Sequence, residues 1–109
     1  MTRPRLDDDG QSVTLDLHGV RVDEAVELAA ALVVEAARRG RSTVRLIHGT
    51  STDEQGAERT IKGALTQTLS DGGYAQHVSS SYAMEGMLVL GLAPSPSPQQ
   101  GRIRIADLQ

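Results

Sequence analysis

Asp16 and His18 are separated by one residue in the run Val13-Thr14-Leu15-Asp16-Leu17-His18-Gly19. An imidazole exchanges a proton near neutral pH, and a carboxylate beside it can orient the ring, hold a divalent cation or activate water. Cleavage of a phosphodiester needs such parts: a base for the nucleophile, and an acid or cation for the leaving oxygen. A second histidine, His48, is followed by Gly49, Thr50 and Ser51. Glycine lets an anion approach backbone amides closely, and the hydroxyls can donate to the same anion. Those hydroxyls, with Asp53, can equally cap a following helix. Arg59, early on that helix, can meet an anion at its N-terminus or stand as a solvated neighbour on its surface. Arg38, Arg39, Arg41 and Arg45 crowd into one stretch. A guanidinium fork matches phosphate geometry, but arginines at a helix C-terminus also complement the helix dipole.

The elements that must position these groups follow from periodicity. Val13, Leu15 and Leu17 alternate with Thr14, Asp16 and His18, as in a half-buried strand, so Asp16 and His18 share the face opposite the apolar one. Val22, Val26, Ala29, Val33 and Ala36 recur at helical spacing, with Asp23 and Glu24 in the first turn and Gly40 as a stop after Arg39. Thr43 to His48 reads as a second strand. Strand, helix and strand in this order make a βαβ unit with parallel strands, placing His48-Gly49 beside His18-Gly19 at the strands' C-terminal ends, where ligands collect in open α/β sheets. Arg45 then shares a face with Asp16, and an Asp16–Arg45 ion pair with His18 serving the loop backbone is the competing structural account of the same spacing.

A second helix is expected from about Gly56 to Leu69, ended by Gly72-Gly73, then strands over Tyr74–Tyr82 and Met87–Leu92. His77 is read as a strand-surface residue, and Met84 and Met87 as packing residues. The first eleven residues, with Asp7-Asp8-Asp9-Gly10, read as a flexible arm, and residues 12–93 as the domain. Residues 94–109 read as a Pro/Ser linker followed by a candidate edge strand, since Ile103 and Ile105 alternate with Arg102 and Arg104.

Bulk composition narrows the function classes. The 109 residues fit one domain, and 39% hydrophobic content suffices for a modest core. A net charge of −3 and a pI near 5.5 argue against a broad electrostatic grip on phosphate backbones, so any nucleic-acid contact must be local. Absence of cysteine excludes disulfide and thiolate chemistry. No zinc-type ligand spacing and no Walker-type lysine loop occurs. With Tyr74 and Tyr82 as the only aromatics, base-stacking platforms are not expected, which argues against sequence-reading of single strands and favours shape- or backbone-directed recognition. The start of the chain lacks a signal peptide's apolar stretch, and no run of 18 apolar residues occurs, so the expected location is the cytoplasm.

Leu15-Asp16-Leu17-His18-Gly19 followed by Asp23-Glu24-Ala25, then Leu46-Ile47-His48-Gly49, then Arg59 and Leu88-Val89-Leu90, resembles the Smr (small MutS-related) family in order and distance over about Val13 to Leu92. The resemblance implies a two-layer α/β sandwich, βαβαββ, with a mixed four-stranded sheet and two helices on one face. That fold is similar to the C-terminal domain of a bacterial translation initiation factor. It also implies DNA or RNA as partner and a nicking endonuclease activity, with Asp16 and His18 in cleavage, supported by His48. Gly19, Gly49, Thr50, Ser51, Arg38, Arg39, Arg41, Arg45 and Arg59 are the candidate nucleic-acid contacts, and Mg²⁺ or Mn²⁺ is the candidate cofactor. The second motif departs from the family's His-Gly-Lys-Gly-x-Gly, because Gly49 leads into Thr50-Ser51-Thr52-Asp53-Glu54-Gln55 before Gly56. Glu85-Gly86 stands where the family has Gly-Gly-x-Gly.

A structure-selective nicking endonuclease is therefore the leading expectation. A non-catalytic nucleic-acid or ribosome-binding module, and a protein-interaction domain using the open sheet face or the Ile103-Arg104-Ile105 tail, are the alternatives. The expected assembly is a monomer or weak dimer with no membrane contact.

Overall fold

The computed structural model describes residues 4–49, 61–74, 76–93 and 101–108. Its elements are β1 (Arg5–Asp8), β2 (Ser12–Asp16), α1 (Val22–Arg38), β3 (Thr43–Ile47), α2 (Ile61–Ser70), β4 (Val78–Met84), β5 (Met87–Leu92) and a closing 3₁₀ turn (Ile105–Leu108). The strands form one mixed sheet in the order β1-β2-β3-β5-β4, in which only β2 and β3 run parallel. Alternation decides the layers. Val13, Leu15, Val44, Leu46, Leu88 and Leu90 share one core with Ala25, Leu28, Leu32, Ala36, Ile61 and Leu65, so both helices cover the same sheet face. With no Phe or Trp to fill space, that core is built of aliphatic side chains and the single buried ring of Tyr74.

The α/β sandwich is as expected, but the sheet has a fifth strand, and it comes from the segment read as a flexible arm. Leu6 lies opposite Leu15 and packs against the core, while the turn to β2 is closed by Asp9, whose carboxylate accepts the amides of Gln11 and Ser12 at 2.9 and 2.7 Å. The tail, expected as the extra strand, instead inserts Ile103 into the core and ends in the 3₁₀ turn. Asp8 joins arm and tail. It is buried, and its two oxygens accept from Arg41 at 2.9 and 3.0 Å and from the Ile103 amide at 2.7 Å. Tyr74 also departs from expectation: it belongs to the turn after α2, its carbonyl accepting the amides of His77 and Val78, and β4 begins only at Val78. His77 is accordingly a half-buried turn residue rather than part of a strand.

Candidate functional site

Asp16 is the last residue of β2, and the chain beyond it is pinned before it turns into α1. The Leu17 amide donates to the Ile47 carbonyl at 2.7 Å, the Leu17 side chain is buried, and the Val20 amide returns to the Leu17 carbonyl at 3.0 Å. Between these anchors His18 and Gly19 are lifted into solvent. Asp16 Oδ1 accepts from the His18 amide at 3.1 Å and lies 2.6 Å from His18 Nδ1. A carboxylate can only accept, so with Asp16 ionised the ring proton sits on Nδ1. Nε2 has no partner among the described residues, and the His18 side chain is 59% exposed against 25% for Asp16.

β3 brings the second glycine to this point. Gly49 has φ +89°, in the left-handed region, and a side-chain carbon built on it would stand 3.3 Å from His18 Cβ. Glycine is needed there for conformation and for room at once. The amides of His48 and Gly49 both donate to the Gly86 carbonyl, at 2.9 and 3.1 Å, so the β4–β5 turn braces the loop. Composition gave no sign of that brace, since it depends on a carbonyl and not on a side chain. His48 continues the buried alternation of Val44 and Leu46. It is 9% exposed, and its Nδ1 is 2.9 Å from the Gly49 carbonyl, which fixes the loop's shape.

The expected contact residues divide by position. Arg45 lies on the open face, opposite Thr14 and not opposite Asp16, whose neighbours across the ladder are Ile47 and Arg5. No Asp16–Arg45 ion pair forms among the described residues; the partner of Asp16 is His18. Arg5, which alternation had left in the arm, is thus the cation aligned with Asp16. Arg38, Arg39 and Arg41 sit at the end of α1, next to the start of β3, so β2's length, about 13 Å, separates them from Asp16. Arg38 is exposed and pairs with Glu35 at 3.0 Å. Arg39 holds Glu35 at 2.7 Å and Asp107 at 3.5 Å. Arg41, expected to face phosphate, is 1% exposed and enclosed by Asp8 and the carbonyls of Arg39 and Gly101. Its place is structural because a buried carboxylate requires it. Gly19 (φ +78°) lies beside His18 in the raised turn. Thr50, Ser51 and Arg59 lie outside the described residues.

Among the described residues no group of three or more His, Asp or Glu side chains could hold a metal ion. Asp16 Oδ1 is already engaged by His18, leaving Oδ2 as the carboxylate oxygen available to a cation. One oxygen does not make a protein-only cage, although Mg²⁺ is commonly held by one carboxylate with substrate phosphates. No helix among the described residues is long and apolar enough to cross a membrane.

Comparison with known proteins bears on the family and the fold. The Smr domain family model matches residues 15–87, spanning Asp16 to the start of β5. The crystal structure of the Smr domain of Thermus thermophilus MutS2 superimposes with a TM-score of 0.58 at 29% identity, covering 74% of this chain and 98% of that one. No curated protein matches.

Proposed function

Because the chain belongs to the Smr family, we propose that it is a structure-selective nicking endonuclease acting on DNA or RNA, with Asp16 and His18 at the reacting phosphate. The observation that carries this reading is the 2.6 Å Asp16–His18 contact on a raised, solvent-exposed turn at the C-terminal end of a parallel strand pair, with Gly49 against it. Asp16 positions the ring and, by accepting from Nδ1, leaves the Nε2 lone pair to take a proton from the attacking hydroxyl or water. The same nitrogen, once protonated, can return it to the leaving oxygen. Gly19 and Gly49 place no side chain beside His18, where a phosphate would lie, while the Gly49 amide itself is held by the Gly86 carbonyl. Arg5 and Arg45, on the same face as Asp16, supply positive charge to flanking phosphates. A divalent cation entering with the substrate would meet Asp16 Oδ2 and would supply charge neutralisation at the phosphate.

The test is incubation of the purified chain with branched DNA and with structured RNA, each with Mg²⁺, Mn²⁺ or chelator. Nicking that disappears in the Asp16→Ala, His18→Ala double variant is expected. Absence of cleavage by the wild type under every condition, or undiminished cleavage by the double variant, overturns the proposal.

A further inference from the structure

We infer that the sheet face opposite the helices holds an unpaired base of the substrate, stacked on Tyr82, so that the structure this chain selects is a nucleic acid with single-stranded nucleotides beside its duplex. The inference rests on the nucleic-acid reading above and adds the residue and the feature recognised. Of the two aromatic rings in the chain, Tyr74 is buried, whereas Tyr82 is 60% exposed. Tyr82 has no place in the core, because the helices cover the opposite sheet face and β4 is exposed along nearly its whole length. Register aligns it. Tyr82, Val89, Arg45 and Thr14 form one row across the face opposite the helices, and Met84, Met87, Ile47 and Asp16 form the adjacent row; Tyr82 and Met84 are exposed at the β4 end, whereas Val89 is buried between its neighbours. The second row is an apolar path from β4 to the Asp16–His18 turn.

Three further features favour a nucleic-acid strand as the occupant. Over β3, β5 and β4 the open face carries a single charged side chain, and it is the cation Arg45. The acidic residues on that face, Asp7 and Asp16, lie on the two far strands. Arg45 is two strand spacings from Tyr82, roughly 10 Å, a separation suited to stacking one base while contacting a phosphate of the same strand. Tyr82 and Asp16 are three spacings across and two residues along, about 16 Å apart. A base on Tyr82 therefore places a phosphate only a few nucleotides away at His18, along the Met84–Met87–Ile47 path. The face is continuous with the proposed reacting centre. A stacked ring reads no sequence, in keeping with a sequence-tolerant enzyme.

The full chain can be tested by fluorescence anisotropy in chelator, where no cleavage is required. One probe is a duplex with a short unpaired flap carrying 2-aminopurine at successive positions; the other is a fully paired duplex of equal length. The expected result is tighter binding of the flap probe, with 2-aminopurine quenched at one or two positions near the junction. Tyr82→Ala should lower flap affinity about tenfold while Tyr82→Phe retains it, with thermal stability unchanged in both. Equal binding of both probes, or a flap affinity indifferent to Tyr82→Ala, overturns the inference and leaves the proposed endonuclease standing. Tyr82-dependent flap binding by a chain that never cleaves does the reverse. Sedimentation of the free chain as a dimer that Tyr82→Ala dissociates would assign the face to a second copy, and would also overturn it.

Discussion

Asp8 and Asp16 lie on adjacent strands, and each faces a nitrogen-bearing side chain, yet their surroundings differ in nearly every respect. Asp8 has both oxygens occupied by Arg41, adds the amides of Ile103 and Gly10, and is shut away from solvent. Asp16 uses one oxygen for His18, and that ring remains largely exposed. The first arrangement satisfies every lone pair and leaves nothing for a ligand. In the second, one carboxylate oxygen and one ring nitrogen have no partner among the described residues, at a strand end that a phosphate can reach. What distinguishes a structural carboxylate from a candidate chemical one is thus the bonding left over, and the type of residue says little.

Disrupting each pair should separate the two roles most sharply. Arg41→Ala strands Asp8 in the core and is expected to cost about 3–5 kcal/mol of stability, read as a fall in Tm of more than ten degrees. If Tm shifts by only a degree or two, the clasp is not what holds arm and tail. The Asp16→Ala, His18→Ala double variant should do the opposite, losing at least about a hundredfold in nicking rate while changing stability by roughly 0.5 kcal/mol or less.

Acid sharpens the same contrast. Burial is the largest single influence on Asp8 and opposes its ionisation, but the bonds from Arg41, Ile103 and Gly10 together outweigh it and hold its pKa below the ordinary carboxylate value. The folded chain therefore keeps Asp8 ionised to lower pH than the unfolded chain does. Its stabilisation is complete above about pH 4 and is lost as the pH falls through the lowered value. Urea titrations from about pH 6 down to about pH 2.5 should show this acid limb, and Asp8→Asn should flatten it. The smallest effect expected is from Gly49→Ala, which puts a methyl at φ +89° and 3.3 Å from His18 Cβ. It should cost about 1–2 kcal/mol and slow nicking by displacing His18. An unchanged rate would mean that the ring tolerates a looser setting.

The sandwich was legible where short-range pattern and tertiary packing agree. Alternation over Val13–Leu17 and the apolar run Met87–Leu92 bury the positions their pattern implies, and the helical stripe does so at Ala29, Val33 and Ala36, while Ala25, Leu28 and Leu32, outside that stripe, are buried too and Val26 is only half-buried. The juxtaposition of His18 with Gly49 followed from the βαβ order alone. The arm was not legible, because Asp7-Asp8-Asp9 is a solvated acidic run by every local criterion. Only a partner far along the chain, Arg41, makes burial of Asp8 affordable. The same burial withdrew Arg41 from the expected phosphate patch. Tyr82 was discounted for a related reason: counting aromatics says how many rings there are, and only the sheet register shows which one faces outward. Thr50, Ser51 and Arg59 stand as sequence expectations alone.

The pairing of Arg5 with Asp16 in β1 has a practical side. The chain enters the sheet beside the Asp16–His18 turn, whereas its 3₁₀ turn lies near the far end of α1, where Asp107 meets Arg39. An affinity tag or fused domain placed ahead of Arg5 would stand beside the proposed site, whereas one attached behind Leu108 would start from the far end of α1. Assays that disagree between differently tagged preparations would find their explanation in that asymmetry.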